Sequence, residues 1–124
     1  MYSDAYKKCV FLLSKGKNSA LINLLAGIAY TLDKGENKLR DNDMNIINKH
    51  ISLAVHDSKV RSTALAVLGC IKYEYYHLNK LYDSSQLTLE FIKEELRKYP
   101  TTIDKELLKL ITPTEYALGF LDIQ

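Results

Sequence analysis

The chain has 124 residues, 47% of them hydrophobic, and its 17 basic and 15 acidic side chains leave a net charge of +2. This length predicts a single domain over residues 1–124 that folds without metal or disulfides. The nearly even charge argues against a dominant nucleic-acid footprint, and without a long apolar run or a secretory leader we expect a cytoplasmic protein with no membrane partner.

Two helices are predicted before residue 36, each ended by a glycine. The first covers residues 2–14, with Ser3 as its cap, and ends at Gly16. The second begins at Asn18 or Ser19 and ends at Gly35, and its small residues would let a neighbouring helix approach closely. The apolar faces are Tyr2, Tyr6, Cys9, Val10 and Leu13 in the first helix, and Leu21, Leu24, Leu25, Ile28 and Leu32 in the second.

A polar segment over residues 36–43 predicts a loop before the third helix. Asp41 or Asn42 is expected to cap this helix, which continues to about Val55. Its inward residues are expected to be Ile47, Ile51, Ala54 and Val55.

A helical hairpin is predicted between Asp57 and Pro100. Its first helix has apolar residues at spacings of 0, 4, 7, 8, 11, 15 and 18, which mark one face of an α-helix. Asp83, with Gln86 as reciprocal partner, is expected to cap the second helix, and Pro100 to end it. The first stripe is Val60, Ala64, Val67, Leu68, Ile71, Tyr75 and Leu78; the second is Leu89, Ile92, Leu96 and Tyr99, widened by Leu87 and Phe91.

Two short helices are predicted to close the chain. Thr101 and Thr102 cap one, and Thr112 caps the other, with Glu115 completing a capping box. Their apolar residues are Ile103, Leu107, Leu108, Leu110 and Ile111, then Tyr116, Leu118, Phe120 and Leu121. The sequence therefore predicts an all-α protein of six or seven helices, arranged as helical hairpins in a bundle or a short solenoid.

The stretch from residue 68 to 100 resembles the tetratricopeptide family of helical-hairpin repeats. The residues that carry the resemblance are the pair Leu68–Gly69, Tyr73, Tyr82 followed by the small Ser85, and the closing Pro100. Asn79 or Lys80 stands where that family has a turn glycine. A second, partial match to the family pattern occurs at Gly27. This glycine lies 42 residues before Gly69, whereas the family repeat is about 34 residues. The resemblance implies a protein-binding adaptor or chaperone.

No pattern in the sequence predicts an enzyme, a cofactor or a metal site. His50 and His56 are six residues apart, so one helix would not bring them together. The three histidines, with His77, are therefore expected at the surface or its boundary. Cys9 and Cys70 lie among apolar residues and are expected to be reduced thiols in the core.

Tyrosine is the unusual residue, with nine copies and no tryptophan. Tyr73, Tyr75 and Tyr76 point in different directions around the long helix, so they cannot all enter one core. Tyr75 continues the inward stripe. The others either form a second core layer or contact a partner, since tyrosine is enriched at interfaces. The predicted partner-binding residues are Tyr73, Tyr76, His77 and Lys80.

The favoured hypothesis is a non-enzymatic interaction module, an adaptor or chaperone that binds a partner's helix or peptide in a groove between helical hairpins. A first alternative is a small nucleic-acid-associated subunit that uses the basic N-terminus and the lysines and tyrosines of the long helix. A second alternative is a structural homodimer that pairs surplus apolar helix faces.

Overall fold

Six α-helices make up most of the chain that the computed structural model describes, which is residues 1–17, 19–98 and 103–111. No strand occurs in these ranges. The all-α prediction is therefore confirmed. The helices are α1 Tyr2–Ser14, α2 Ala20–Lys34, α3 Asp41–Val55, α4 Arg61–Leu78, α5 Tyr82–Lys98 and α6 Lys105–Ile111, with a 3₁₀ turn Glu36–Lys38 between α2 and α3.

The two glycine stops are confirmed. Gly16 and Gly35 have φ angles of 78° and 92°, in the left-handed region that L side chains rarely adopt. At the start of α2 the Ser19 hydroxyl accepts a hydrogen bond from the Ile22 N–H at 3.4 Å, as expected of a cap.

Three other predicted caps are wrong. Met1, not Ser3, precedes α1. Arg40 precedes α3, and its N–H donates to the Asp43 carboxylate at 3.0 Å. α5 begins at Tyr82, because the Leu81 carbonyl already accepts the Ser85 N–H at 3.0 Å. Asp83 therefore lies inside the first turn of α5, where its charge still complements the helix dipole.

From α1 to α5, each helix packs against the next one in the chain, since the connections between them are short. α2 also contacts α6, and α4 contacts α3, α5 and α6. The approach of α2 to α3 depends on a glycine, because a Cβ at Gly27 would lie 2.5 Å from the Cγ1 of Ile51. The prediction that small residues of α2 permit a close neighbour is confirmed at this position.

α4 is the central helix, and its first half is enclosed on every side. All ten residues from Ser62 to Ile71 are buried. The N–H of Asp104 donates to the Thr63 hydroxyl at 2.8 Å and so ties the entry of α6 to this half. The predicted stripe is confirmed from Ala64 to Ile71, whereas its last residue, Leu78, is 48% exposed.

α5 covers α4 with one face only. Ser85, Ile92 and Leu96 are buried, as the sequence predicts for the last two. The prediction that Leu87 and Phe91 widen this stripe is wrong, because these side chains are 66% and 60% exposed. They lie on the side of α5 turned away from Leu96.

Other residues of the predicted apolar stripes also differ from the prediction in their exposure. Leu21 and Leu110 are each nearly half exposed, whereas Ile103, Leu108 and Ile111 are fully buried, as predicted. The predictions for Tyr99, Pro100, Thr101, Thr102 and the last helix fall outside the described residues. No helix in the described part of the chain is both long and apolar enough to span a bilayer.

Candidate protein-binding surface

The four predicted binding residues lie together at the end of α4 and in the turn to α5. Tyr73 and Tyr76 are half-buried, and His77 and Lys80 are exposed. The rings of Tyr73 and His77, one helical turn apart, stack with centroids 5.8 Å apart and planes 10° from parallel. Their role in binding stays a prediction.

The structure adds a fifth residue, Tyr82, which is 55% exposed and begins α5. Its ring meets the His77 ring edge-on at 5.1 Å. Tyr76 contacts the Tyr75 ring at 5.6 Å, and Tyr75 packs against the core. We call Tyr73, Tyr76, His77 and Tyr82 the turn cluster. Tyr82 is not among the binding residues predicted from the sequence.

A tight turn holds the cluster in place. The Leu81 N–H donates to the Tyr76 carbonyl at 2.8 Å, and the Asn79 amide donates to the Tyr75 carbonyl at 2.7 Å. Lys80 has a φ of 60°, the only positive value among the described non-glycine residues. Lys80 therefore adopts the left-handed conformation for which glycine is usual at a helix end.

A groove of about 260 Å³ lies between α4 and α5. It is lined by Leu65, Leu68, Lys72, Leu87, Thr88, Phe91 and Ile92. We call it the α4–α5 groove. Leu65, Leu68, Lys72 and Tyr76 have helical spacings of 0, 3, 7 and 11, so Tyr76 extends the α4 wall toward the turn.

The groove is not predicted from the sequence, because the apolar pattern of α5 assigns Leu87 and Phe91 to the core. A signal for the correct side was present. Leu87 and Leu96 are nine residues apart, which places them on opposite sides of a helix, so α4 cannot bury both side chains.

A second cluster lies between α1, α2 and α3 and was not predicted. His50 is only 9% exposed, so its expected surface position is wrong. Its Nδ1 is 3.3 Å from the Asn23 amide oxygen, and its Nε2 is 3.2 Å from the Tyr6 hydroxyl. Because an amide oxygen only accepts, Nδ1 donates and Nε2 accepts the hydroxyl proton. The spacing of His50 with Ile47 and Ala54 on one face was the available signal.

Burial sets the charge states in this region. Desolvation lowers the pKa of His50, with a smaller effect from Lys49, and both effects favour the neutral ring. The Tyr30 hydroxyl donates to the Asp43 carboxylate at 2.6 Å. Burial, then this hydrogen bond, raises the pKa of Tyr30 to about 12. Burial opposes ionisation of Asp43, yet the bonds from Tyr30 and Arg40 leave its pKa below the ordinary value.

An apolar groove of about 370 Å³ also lies between α1 and α2. Cys9 contributes to its wall and is half-buried, so its predicted core position is wrong, whereas Cys70 is in the core, as predicted. Burial raises the pKa of the Cys9 thiol, which disfavours the reactive thiolate.

In the described ranges, no three histidine, cysteine or carboxylate side chains are grouped so that they could hold a metal ion. Comparisons of the chain with protein-family models, curated proteins and solved structures found no match. The tetratricopeptide-like arrangement therefore stays a prediction, while the six packed helices are shown.

Proposed function

We propose that this protein is a non-enzymatic interaction module that binds a partner's helix or peptide along the α4–α5 groove and the turn cluster. The observation that carries the proposal is the exposure of Leu87 and Phe91, one helical turn apart, beside a groove with apolar walls. Large apolar side chains grouped at a surface are typical of interaction sites.

The turn cluster supports the same surface. Tyrosine and phenylalanine are enriched at protein interfaces, where tyrosine offers a large contact area and a polar tip. Leu78 and Leu81, on either side of the turn, are 48% and 50% exposed. The apolar and aromatic side chains thus extend from the turn along α5, a shape that suits an elongated partner segment. The likeness of this stretch to tetratricopeptide repeats points to the same class.

The test compares two exposed phenylalanines. Phe91 on α5 and Phe11 on α1 are 60% and 58% exposed, so Phe91→Asp and Phe11→Asp introduce the same charge at equally accessible sites. Both variants should melt like the unmodified protein. In affinity capture from the native host followed by mass spectrometry, a genuine partner is retained by Phe11→Asp and lost with Phe91→Asp.

Other outcomes would contradict the proposal. If no captured protein depends on Phe91, the groove is not a binding site. If light scattering shows a concentration-dependent dimer that Phe91→Asp abolishes, the surface serves self-association. If binding to single-stranded oligonucleotides falls steeply with salt and ignores Phe91→Asp, the basic residues bind nucleic acid instead.

A further inference from the structure

The α4–α5 groove contains one charge. Among the described residues that line it, Lys72 is the only ionisable one. Its neighbours one turn away on the same face of α4 are Leu68 and Tyr76, and across the groove are Thr88 and Ile92. The lysine stem therefore forms part of a largely apolar wall, and its ammonium group is the single charged feature that a bound segment would meet among the described lining residues.

No carboxylate within the described residues lies within 4.0 Å of this ammonium group. The ion pairs of α5 join Glu94 to Arg97 and Glu95 to Lys98, both near the end of that helix. Lys72 is half-buried, and desolvation lowers its pKa. The groove thus carries a positive charge that is partly removed from water and has no described counter-ion.

A partner lying in the groove would remove more water from Lys72. A wholly apolar segment would leave the ammonium group buried without compensation, which is costly, and a basic segment would add repulsion. A carboxylate at this point would form a charge-assisted hydrogen bond in a partly desolvated site. Lys72 therefore disfavours wholly apolar and basic segments, and it favours a segment that carries a carboxylate.

We infer that the partner segment of the α4–α5 groove is apolar and acidic, with an aspartate or glutamate that pairs with Lys72 while its apolar side chains cover Leu87 and Phe91. This inference rests on the proposed function, since it concerns the same groove. Lys72 is a specificity-determining residue in this view, and the apolar walls provide most of the contact area.

The experiment selects peptides from a random twelve-residue library displayed on phage against the immobilised full chain. Selected peptides are synthesised with a fluorescent label, and their affinities are measured by fluorescence anisotropy for the unmodified protein, Phe91→Asp and Phe11→Asp. Peptides that bind the groove lose affinity with Phe91→Asp only. We expect these peptides to contain an aspartate or glutamate next to large apolar residues.

The role of Lys72 is then measured on one such peptide and on its counterpart with glutamine in place of the acid. Lys72→Gln should weaken the acidic peptide by on the order of tenfold and leave the glutamine peptide nearly unchanged. Lys72→Arg should retain most of the affinity. Lys72→Glu should reverse the preference toward a peptide with lysine at that position. Circular dichroism melting of each variant checks that it is folded.

The possible failures are distinguishable. If no selected peptide depends on Phe91, both the proposed function and this inference are overturned. If Phe91-dependent peptides lack acidic residues, or bind Lys72→Gln equally well, the inference alone is overturned. Binding of a thirty-residue oligothymidylate that falls with Lys72→Gln and ignores Phe91→Asp would also overturn it, because a phosphate would then be the natural counter-ion.

Discussion

Two clusters of tyrosine and histidine rings occupy different parts of this molecule. In the inner cluster, the Tyr6 ring meets the rings of Tyr30 and His50 edge-on, at 5.2 and 5.6 Å. In the turn cluster, the His77 ring contacts those of Tyr73 and Tyr82, at 5.8 and 5.1 Å. The centroid distances are similar, but the Tyr73 and His77 rings are stacked whereas the inner rings meet edge-on, and the two environments differ.

The inner cluster is enclosed by three helices, and its polar atoms are paired within the protein. Both ring nitrogens of His50 have partners, and the Tyr30 hydroxyl is bound to Asp43. The turn cluster is carried by one hairpin, and His77 and Tyr82 are exposed. Because both clusters consist of tyrosine and histidine, the number of surrounding helices, not the residue types, determines whether such rings are enclosed in the fold or remain accessible to a partner.

Leu68→Ala should have the greatest effect on stability. This variant tests whether the hairpin that carries the turn cluster is stabilised by the buried side chains of α4. Leu68→Ala should lower the free energy of unfolding by about 2–5 kcal/mol, because Leu68 is only 6% exposed on α4. Leu78→Ala on the same helix, at 48% exposure, is the matched control and should cost less than about 1 kcal/mol. Urea unfolding measures both, and equal losses would contradict the assigned faces of α4.

Two adjacent tyrosines at the edge of the turn cluster should respond differently to truncation. Tyr75 packs against the core, so Tyr75→Ala should cost about 2–4 kcal/mol. Tyr76→Ala should cost less than about 1 kcal/mol but weaken the binding of a groove peptide by at least about 1 kcal/mol. Thermal melting and fluorescence anisotropy measure the two effects. If Tyr76→Ala destabilises as much as Tyr75→Ala, the tyrosines form a second core layer.

A smaller difference in stability is expected when one tyrosine hydroxyl is removed from each cluster. Tyr30→Phe removes the 2.6 Å hydrogen bond to Asp43 and should cost about 1–2 kcal/mol, because the acceptor is charged and partly buried. Tyr82→Phe removes an exposed hydroxyl and should change stability by less than about 0.5 kcal/mol. Chemical denaturation of the two variants side by side would reveal whether the inner cluster is the structural one.

The smallest expected change is a pH dependence of stability that arises from His50 in the inner cluster. His50 has a lowered pKa in the folded state, so the unfolded chain binds a proton first as the pH falls below about 6.5. The free energy of unfolding should therefore be steady above that pH and decrease below it. Urea unfolding at pH 7.5, 6.5 and 5.5 measures the slope, which His50→Gln should remove; an unchanged slope in this variant would contradict the assignment to His50.

The helices, and the positions at which most of them end, could be predicted from local sequence patterns. Helical hydrogen bonds join residues four positions apart, and the left-handed conformations at Gly16 and Gly35 are local, so both can be inferred without knowledge of the fold. The inward stripe of α4 from Ala64 to Ile71 followed from the 3.6-residue period. The prediction of binding residues at the end of α4 followed from the different directions in which the neighbouring tyrosines point.

Which helix faces are buried depends on how the helices pack and could not be predicted from these patterns. Periodicity shows that a helix has an apolar face, but burial requires another helix against that face. α4 has neighbours around its whole first half, and α5 packs mainly on α4, so Leu87 and Phe91 remain exposed. His50 is buried because Asn23 and Tyr6, far away in the sequence, supply its hydrogen bonds. Such pairings depend on how the helices pack, which local sequence patterns do not specify.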